Sequence, residues 1–305
     1  VNQKSSYSDI NVSSWINFLP SSLKPYAILS RLDRPIGNWL LFIPGLWGIL
    51  LPHQINWAIR LKLIFLFALG SIIMRSAGCV VNDIWDRDFD RQVTRTQQRP
   101  LANNTISLKR AVCFLLVLLA LGFLILLQLN PLSWLLGASS LILVALYPGA
   151  KRIFAWPQLV LGFTFGFGAP LGYTAATGCL SWSQFALYTA TIFWQIGFDT
   201  IYGYQDIEDD QRIGVKSTAR WAGEAGKIFV GTNYGFCIIM LLIAMILNQN
   251  SWVSFCALLL PLSHFIWQLK NFDLCNPTCC LILFKSNRDA GILIALALLM
   301  GNIFQ

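Results

Sequence analysis

Nine apolar segments, each near the length a bilayer crossing requires, leave this 305-residue chain few folds to choose from. They fall at about 36–53, 61–83, 110–129, 132–147, 157–176, 184–205, 226–247, 251–269 and 290–304. No water is available inside a bilayer to satisfy backbone N–H and C=O groups, so a chain built this way reads as an all-α membrane protein. Only 12% of residues are charged, about half the share in soluble domains, and 56% are hydrophobic. The third and fourth segments are separated by little more than Leu129-Asn130-Pro131, which predicts a tight helical hairpin. Residues 1–30 are polar and mixed and read as an interfacial lead-in, with a single membrane domain over 31–305. That lead-in has no apolar core before a cleavage site, and it carries Asp9 but no arginine. The reading is therefore neither secretory signal nor transit peptide, which predicts a bacterial inner membrane, with a mitochondrial inner membrane as the alternative.

Charge distribution sets the orientation. Of the 22 lysines and arginines, 19 lie on the N-terminal segment and on the connections after the second, fourth, sixth and eighth spans. The other face has only Arg60 and Lys62, while Arg75 lies inside the second span. The positive-inside rule puts the basic side in the cytoplasm, or in the matrix of a mitochondrion. All 14 acidic residues lie at or near that same side, so ionic chemistry belongs there. The net charge of +8 is explained by topology, and nucleic acid is not an expected partner.

Two acidic runs stand out. The second span ends in Asn82-Asp83-Ile-Trp-Asp86-Arg-Asp88-Phe-Asp90, where Asp83, Asp86 and Asp90 share one helical face at 100° per residue. The sixth span ends in Asp199-Thr-Ile-Tyr202-Gly-Tyr-Gln-Asp206-Ile-Glu208-Asp209-Asp210, with the same kind of spacing. Clustered carboxylates near lipid repel one another and resist ionisation, and a hard cation resolves the conflict. Oxygen-only donors favour Mg²⁺, which leaves coordination positions open for phosphate and water. Both runs close helices at the C-terminal, negative end of the macrodipole, which suits a cation. Arginines downstream of the first run are expected to supply countercharge to a phosphate. The fourth span ends in Tyr147-Pro-Gly-Ala-Lys151-Arg152 on the same face, where cations could clamp a departing diphosphate.

The segments Asn82-Asp83-x-x-Asp86-x-x-x-Asp90, Tyr147-x-x-x-Lys151 and Asp206-x-x-x-Asp210 resemble the signatures of the UbiA superfamily of intramembrane prenyltransferases. Arg31-Leu-Asp-Arg34-Pro-Ile-Gly37, Met74-Arg75-Ser-Ala-Gly78-Cys79, Arg99-Pro100-Leu101, Ile213-Gly-Val-Lys216-Ser217-Thr218 and Phe284-Lys-Ser-Asn-Arg288 resemble the branch acting on 4-hydroxybenzoate. Ala102-Asn103-Asn104 departs from the usual turn after Arg99-Pro100-Leu101. The resemblance implies a bundle of nine transmembrane helices around a central cavity open near the cytoplasmic face. It implies two Mg²⁺ ions bridging a polyprenyl diphosphate, one held by Asn82, Asp83, Asp86 and Asp90, the other by Asp206 and Asp210. Lys151 and Arg152 would neutralise the leaving group or hold the aromatic carboxylate. Arg34, Arg75, Tyr147, Tyr202 and Lys216 are further candidate contacts to diphosphate or acceptor. Asp199, a helical turn inside the membrane, is a candidate proton acceptor or hydroxyl orienter. The implied step joins the prenyl group to the ring carbon ortho to the hydroxyl of 4-hydroxybenzoate, in ubiquinone biosynthesis. Membrane lipid is the surrounding medium, and no obligatory protein partner is implied.

Other readings stay open at this stage. A different acceptor (homogentisate, a naphthoate, a chlorophyllide or haem) would keep the same chemistry. A cation transporter would place its ionisable groups near the midplane, whereas these lie at one surface. Glycines at four-residue spacing in the fifth span, Gly162 with Gly166 and Gly168 with Gly172, fit either close packing or a tail groove lined by Phe163, Phe165 and Phe167. Cys275, Cys279 and Cys280 lack a second ligand pair and read as thiols packed beside an interfacial helix.

Overall fold

A computed structural model describes residues 15–92, 96–153, 156–207 and 216–304, with side chains omitted over 144–153. Every regular element among the described residues is helical. A 3₁₀ turn (Trp15–Phe18) precedes α1 (Lys24–Leu29), α2 (Ile36–Leu50), α3 (Trp57–Trp85), α4 (Arg87–Asp90), α5 (Leu108–Leu126) and α6 (Pro131–Ile153). Then come α7 (Pro157–Gly166), α8 (Gly168–Thr177), α9 (Trp182–Gln205), α10 (Thr218–Ala222), α11 (Gly226–Leu247), α12 (Trp252–Ala257), α13 (Leu259–Asn271) and α14 (Pro277–Ile303). Among the described residues, five stretches are long and apolar enough to cross a membrane: Trp57–Trp85, Leu108–Leu126, Pro157–Thr177, Thr218–Leu247 and Trp252–Asn271. Their outward side chains include Leu61, Phe65, Leu116, Phe123, Ile228 and Leu259, all well exposed, as lipid contact requires.

The chain divides into two compact units, one formed by Val1–Asn38 and Leu69–Gln128, the other by Trp39–Ala68 and Leu129–Gln305. In the first, Ile73, Ala77 and Val80 form one stripe of α3 and pack with Leu29, Leu101, Ile106, Ala111 and Leu118. Tyr26 closes this core edge-on against Phe114 at 5.1 Å. Ser107 caps α5, accepting from the Arg110 N–H at 3.4 Å. The turn after Arg99-Pro100-Leu101 is built by asparagine chemistry. Asn103 Oδ1 accepts from the Thr105 N–H, and Asn104 takes a left-handed φ of 61° that asparagine tolerates well.

The second unit is organised on α9, which packs against α7, α8, α11 and α14. Its N-terminus is a capping box between Ser181 and Gln184. Gln184 also donates to Pro170 O and Thr174 Oγ1, both at 2.8 Å, which ties α8 to this end of α9. The fifth span is broken at Phe167, and broken backbone in an apolar setting needs partners. Gln195 supplies them when its side-chain amide is turned with the nitrogen toward Leu161 O, donating to that carbonyl at 3.1 Å and accepting from Gly166 N at 3.2 Å. The glycine spacing is used for packing: a Cβ on Gly172 would collide with Gly45 O, and one on Gly162 would press on Ile192.

The last helix starts earlier than its hydropathy predicts. α14 begins at Pro277, capped by Asn276, and carries Lys285, Arg288 and Asp289 inside it. Leu283, Asn287, Ala290 and Ile294 form its buried face, leaving Lys285 and Arg288 on the exposed side. Asn287 accepts from Trp194 Nε1 at 3.1 Å, and the single hydroxyl proton of Tyr234 is shared between Gln268 Oε1 at 2.7 Å and Asn287 Oδ1 at 3.2 Å. One asparagine therefore joins α9, α11 and α14, and a tyrosine adds α13.

Candidate functional site

The acidic end of α3 is set by the register of its core stripe. With Ile73, Ala77 and Val80 facing inward, Asp83 comes just beside that stripe and is fully buried. Arg75, Asn82 and Asp86, at offsets of seven and eleven residues, share a different stripe and stay half-buried. The helix ends at Trp85, yet the ladder continues: Asp86 N–H donates to Asn82 O and Asp90 N–H to Asp86 O. Asp90 is brought back beside Asp83 and is 4% exposed.

Both buried carboxylates are paired with arginine. Arg31 Nη2 lies 2.7 Å from Asp83 Oδ1, and Arg99 Nη1 lies 3.3 Å from that oxygen and 2.9 Å from Asp90 Oδ2. Thr96 Oγ1 adds a hydrogen bond to the Asp90 carbonyl at 3.1 Å. Burial pushes the Asp90 carboxyl above the ordinary carboxylate range, with the nearby Asp86 adding to the rise and Arg99 opposing it. Arg31 holds its position with φ at 57°, a left-handed conformation that costs a non-glycine residue about 1–2 kcal/mol.

The downstream arginines, expected as countercharge for a phosphate, are held here by acids and carbonyls of the chain itself. Arg99 is engaged by carboxylates, because buried acids without a cation would not stay ionised. Arg91 binds Ala102 O, Asn104 Oδ1 and Asp88, and Arg87 binds Asp88. Arg95 lies outside the described residues. The sequence reading did not place Arg31 in the site, and it gave Arg99 a phosphate rather than Asp83 and Asp90 as its partner. The signal was in the charge count, since so many carboxylates near lipid demand nearby cations.

Other candidates in this unit take distinct places. Arg34 Nε lies 3.5 Å from Asp33 Oδ2. The Arg75 guanidinium lies against the backbone at Gly37, where a Cβ would come within 2.7 Å of Nε. Only glycine lets that chain pass.

In the second unit, the last turns of α9 bury Thr200, Ile201, Gly203 and Tyr204 but leave Asp199, Tyr202, Gln205 and Asp206 half-open. Asp199, Tyr202 and Asp206 thus share the polar face that their spacing predicts. Tyr202 packs on Phe284 at 4.6 Å, and Phe198 meets the same ring at 5.8 Å. The helix end is braced by Thr218, which hydrogen-bonds Thr200 Oγ1 at 2.7 Å and donates its N–H to Gln158 Oε1 at 3.0 Å. Lys216 is exposed just before the Ser217 cap of α10. Asp210 lies outside the described residues, as do the side chains of Tyr147, Lys151 and Arg152, whose backbone belongs to α6.

Among the described residues no three His, Cys, Asp or Glu groups converge on a metal position. The donors nonetheless suit a hard cation in kind: all are oxygen, and Asn82 and Asp86 stand one turn apart and accessible.

Residues 41–300 match the model of the UbiA prenyltransferase family. The chain is 42% identical over 298 residues to the mitochondrial 4-hydroxybenzoate polyprenyltransferase of Caenorhabditis elegans, covering 96% of this chain and 84% of that one. It is 42% identical over 285 residues to the Aedes aegypti protein of the same name, covering 92% of this chain but spanning only 64% of that relative. Its fold is similar to a solved UbiA homologue from Archaeoglobus fulgidus bound to GPP and Mg²⁺, with a TM-score of 0.66 at 18% identity over 90% of this chain and 99% of that one.

Proposed function

The chain belongs to the UbiA prenyltransferase family, and from that premise we propose that it transfers a polyprenyl group from polyprenyl diphosphate to 4-hydroxybenzoate. The observation that carries this reading is 42% identity over 96% of the chain to a relative named for that reaction. The buried acid–arginine cluster at the end of α3 and the polar face ending α9 provide residues of the right kind to run it.

Asn82, Asp83, Asp86 and Asp90 would hold one Mg²⁺ in this proposal, and Asp206 and Asp210 would hold a second. Bound Mg²⁺ would supply positive charge to the diphosphate as its allylic C–O bond breaks. The chain's own groups do the rest. Lys151 and Arg152 neutralise the departing diphosphate or hold the acceptor carboxylate, with Arg34, Arg75, Tyr147 and Lys216 as further contacts. Tyr202, backed by Phe284, offers an aromatic face beside Asp199. The carbon ortho to the phenol hydroxyl attacks the allylic carbon, a C–C bond forms, and Asp199 takes the ring proton released. In this proposal nine helices of residues 31–305 form a single domain around a cavity that keeps water from the allylic carbocation left as the C–O bond breaks.

The relatives' names place them in mitochondria, which favours the mitochondrial inner membrane, with the site on the matrix side, over the bacterial one. No obligatory protein partner is required by this scheme. The test is incubation of membranes carrying the protein with labelled 4-hydroxybenzoate, polyprenyl diphosphate and Mg²⁺. Labelled lipid should form and should vanish with EDTA. Product from another acceptor alone would overturn the assignment.

A further inference from the structure

A second polar cluster lies within the larger unit, at the N-terminal end of α3. Arg60 is 1% exposed, and its Nη2 donates to Pro52 O at 2.6 Å and to Asn302 Oδ1 at 2.7 Å. Its guanidinium sits 4.6 Å from the centre of the Trp57 ring. Asn302 in turn donates to Leu50 O, and Asn248 donates to Leu51 O and to Asn250 Oδ1. The turn at residues 50–53 is thus clasped by Arg60, Asn302 and Asn248. Next to Asn302, a Cβ on Gly301 would collide with Ser254 Oγ and Asn250 Nδ2, so those two groups crowd the same helix end.

Four buried atoms here have no hydrogen-bond partner among the described residues: Arg60 Nε, Asn250 Nδ2, Ser251 Oγ and Ser254 Oγ. All four can donate. Arg60 is also a cation in the first turn of a 29-residue helix, where the macrodipole is positive and disfavours it. The stretches that build the cluster supply no acidic side chain, because residues 34–82, 225–272 and 290–305 contain no Asp or Glu. A buried cation without countercharge is strongly unfavourable, as are buried donors without acceptors. A single small anion would answer both deficits, and the depth of Arg60 is unsuited to a bulky lipid headgroup.

We infer that the cluster of Arg60, Asn250, Ser251 and Ser254 binds a small monovalent anion of the halide type, which pins the turn between α2 and α3. Water is the competing occupant, and it would leave the charge of Arg60 uncompensated.

The test compares thermal unfolding of the purified full chain in detergent with sodium chloride or sodium gluconate at matched ionic strength. Chloride should raise the Tm saturably, by about 3 °C at many times its Kd. Arg60→Gln should abolish the response. Superimposed curves for the wild type in the two salts would overturn the inference in favour of water, and so would an unchanged response in Arg60→Gln. Should Arg60→Gln fail to fold, Ser254→Ala serves in its place. It is expected to raise the chloride midpoint several-fold, and an unchanged midpoint would overturn the inference.

Discussion

Replacing Arg99 with methionine tests whether the acidic end of α3 is held as an ion-pair unit. The guanidinium is shared between Asp83 and Asp90, whose side chains are 0% and 6% exposed, and Arg99 itself is only 13% exposed. Solvent screening is therefore slight. Breaking a buried pair by removing one partner costs about 3–5 kcal/mol, because the other charge stays buried. Asp83 keeps Arg31 at 2.7 Å, so Asp90 bears the loss, and about 3 kcal/mol is the expected penalty for Arg99→Met. Asp90→Asn should cost less, since it removes the charge that needs a partner. The double variant should recover much of the deficit, giving an interaction energy of about 1.5–3 kcal/mol. Thermal unfolding of metal-free protein in detergent reads this directly, at about 2–4 °C per kcal/mol for a chain of this class. A pH series adds a signed check. Burial holds the Asp90 carboxyl above its ordinary range, so its contribution is present below the unfolded pKa and is lost as pH rises through the folded one. Without Arg99 that rise is larger, and the deficit should shrink on acidification as Asp90 takes a proton. Single-variant effects that simply add, within about 0.5 kcal/mol, would refute the shared-pair account.

Further expectations concern turnover and packing. Asp199→Asn should leave the KM for the prenyl donor unchanged and lower kcat by about 10²–10⁴-fold; an unaltered kcat removes it from the proton transfer. Gly172→Ala should destabilise by about 1–3 kcal/mol, because its Cβ meets Gly45 O, a backbone atom that cannot swing away. Gly235→Ala on α11, where nothing lies within 4 Å of the added carbon, should be neutral or stabilising by melting temperature. Asn287→Ala should lower stability by about 1–3 kcal/mol, since it strands the buried Trp194 indole N–H.

Much of the architecture was legible because lipid simplifies the code. Apolar runs near twenty residues have one backbone solution, and each predicted segment coincides with helix, down to 226–247 against Gly226–Leu247. Charge hid the start of α14. Lys285, Arg288 and Asp289 depress hydropathy over a stretch whose opposite face, Leu283, Asn287 and Ala290, is buried. Periodicity placed Asp199, Tyr202 and Asp206 on one face of α9, as found. It could not name the partners of Asp83, because Arg31 is 52 residues away and Arg99 is 16, and helical spacing says nothing about such distances. The glycines of the fifth span were ambiguous for a related reason. Small residues permit close approach, but only the structure shows that Gly172 is approached by Gly45.

The arginine pairing would let a dense acidic site fold before it captures a cation. Asp83 and Asp90 contribute two negative charges, and Arg31 and Arg99 return two positive ones within 3.3 Å. The buried layer is thus balanced internally, unlike small metal domains whose folding waits on the ion. What stays accessible is the outer stripe of Arg75, Asn82 and Asp86, which carries one cation, one amide and one carboxylate. A hard cation that leaves most of its shell to phosphate and water needs few protein ligands, so Asn82 and Asp86 would suffice to start its capture before Asp83 and Asp90 join them. The left-handed Arg31 fits the same logic. Its backbone strain of about 1–2 kcal/mol is offset by one short bond to a fully buried carboxylate, which fixes Asp83 beside the stripe where ligand exchange would occur. Folding would then precede loading, with the inner pairs formed first and the outer stripe open to an incoming cation.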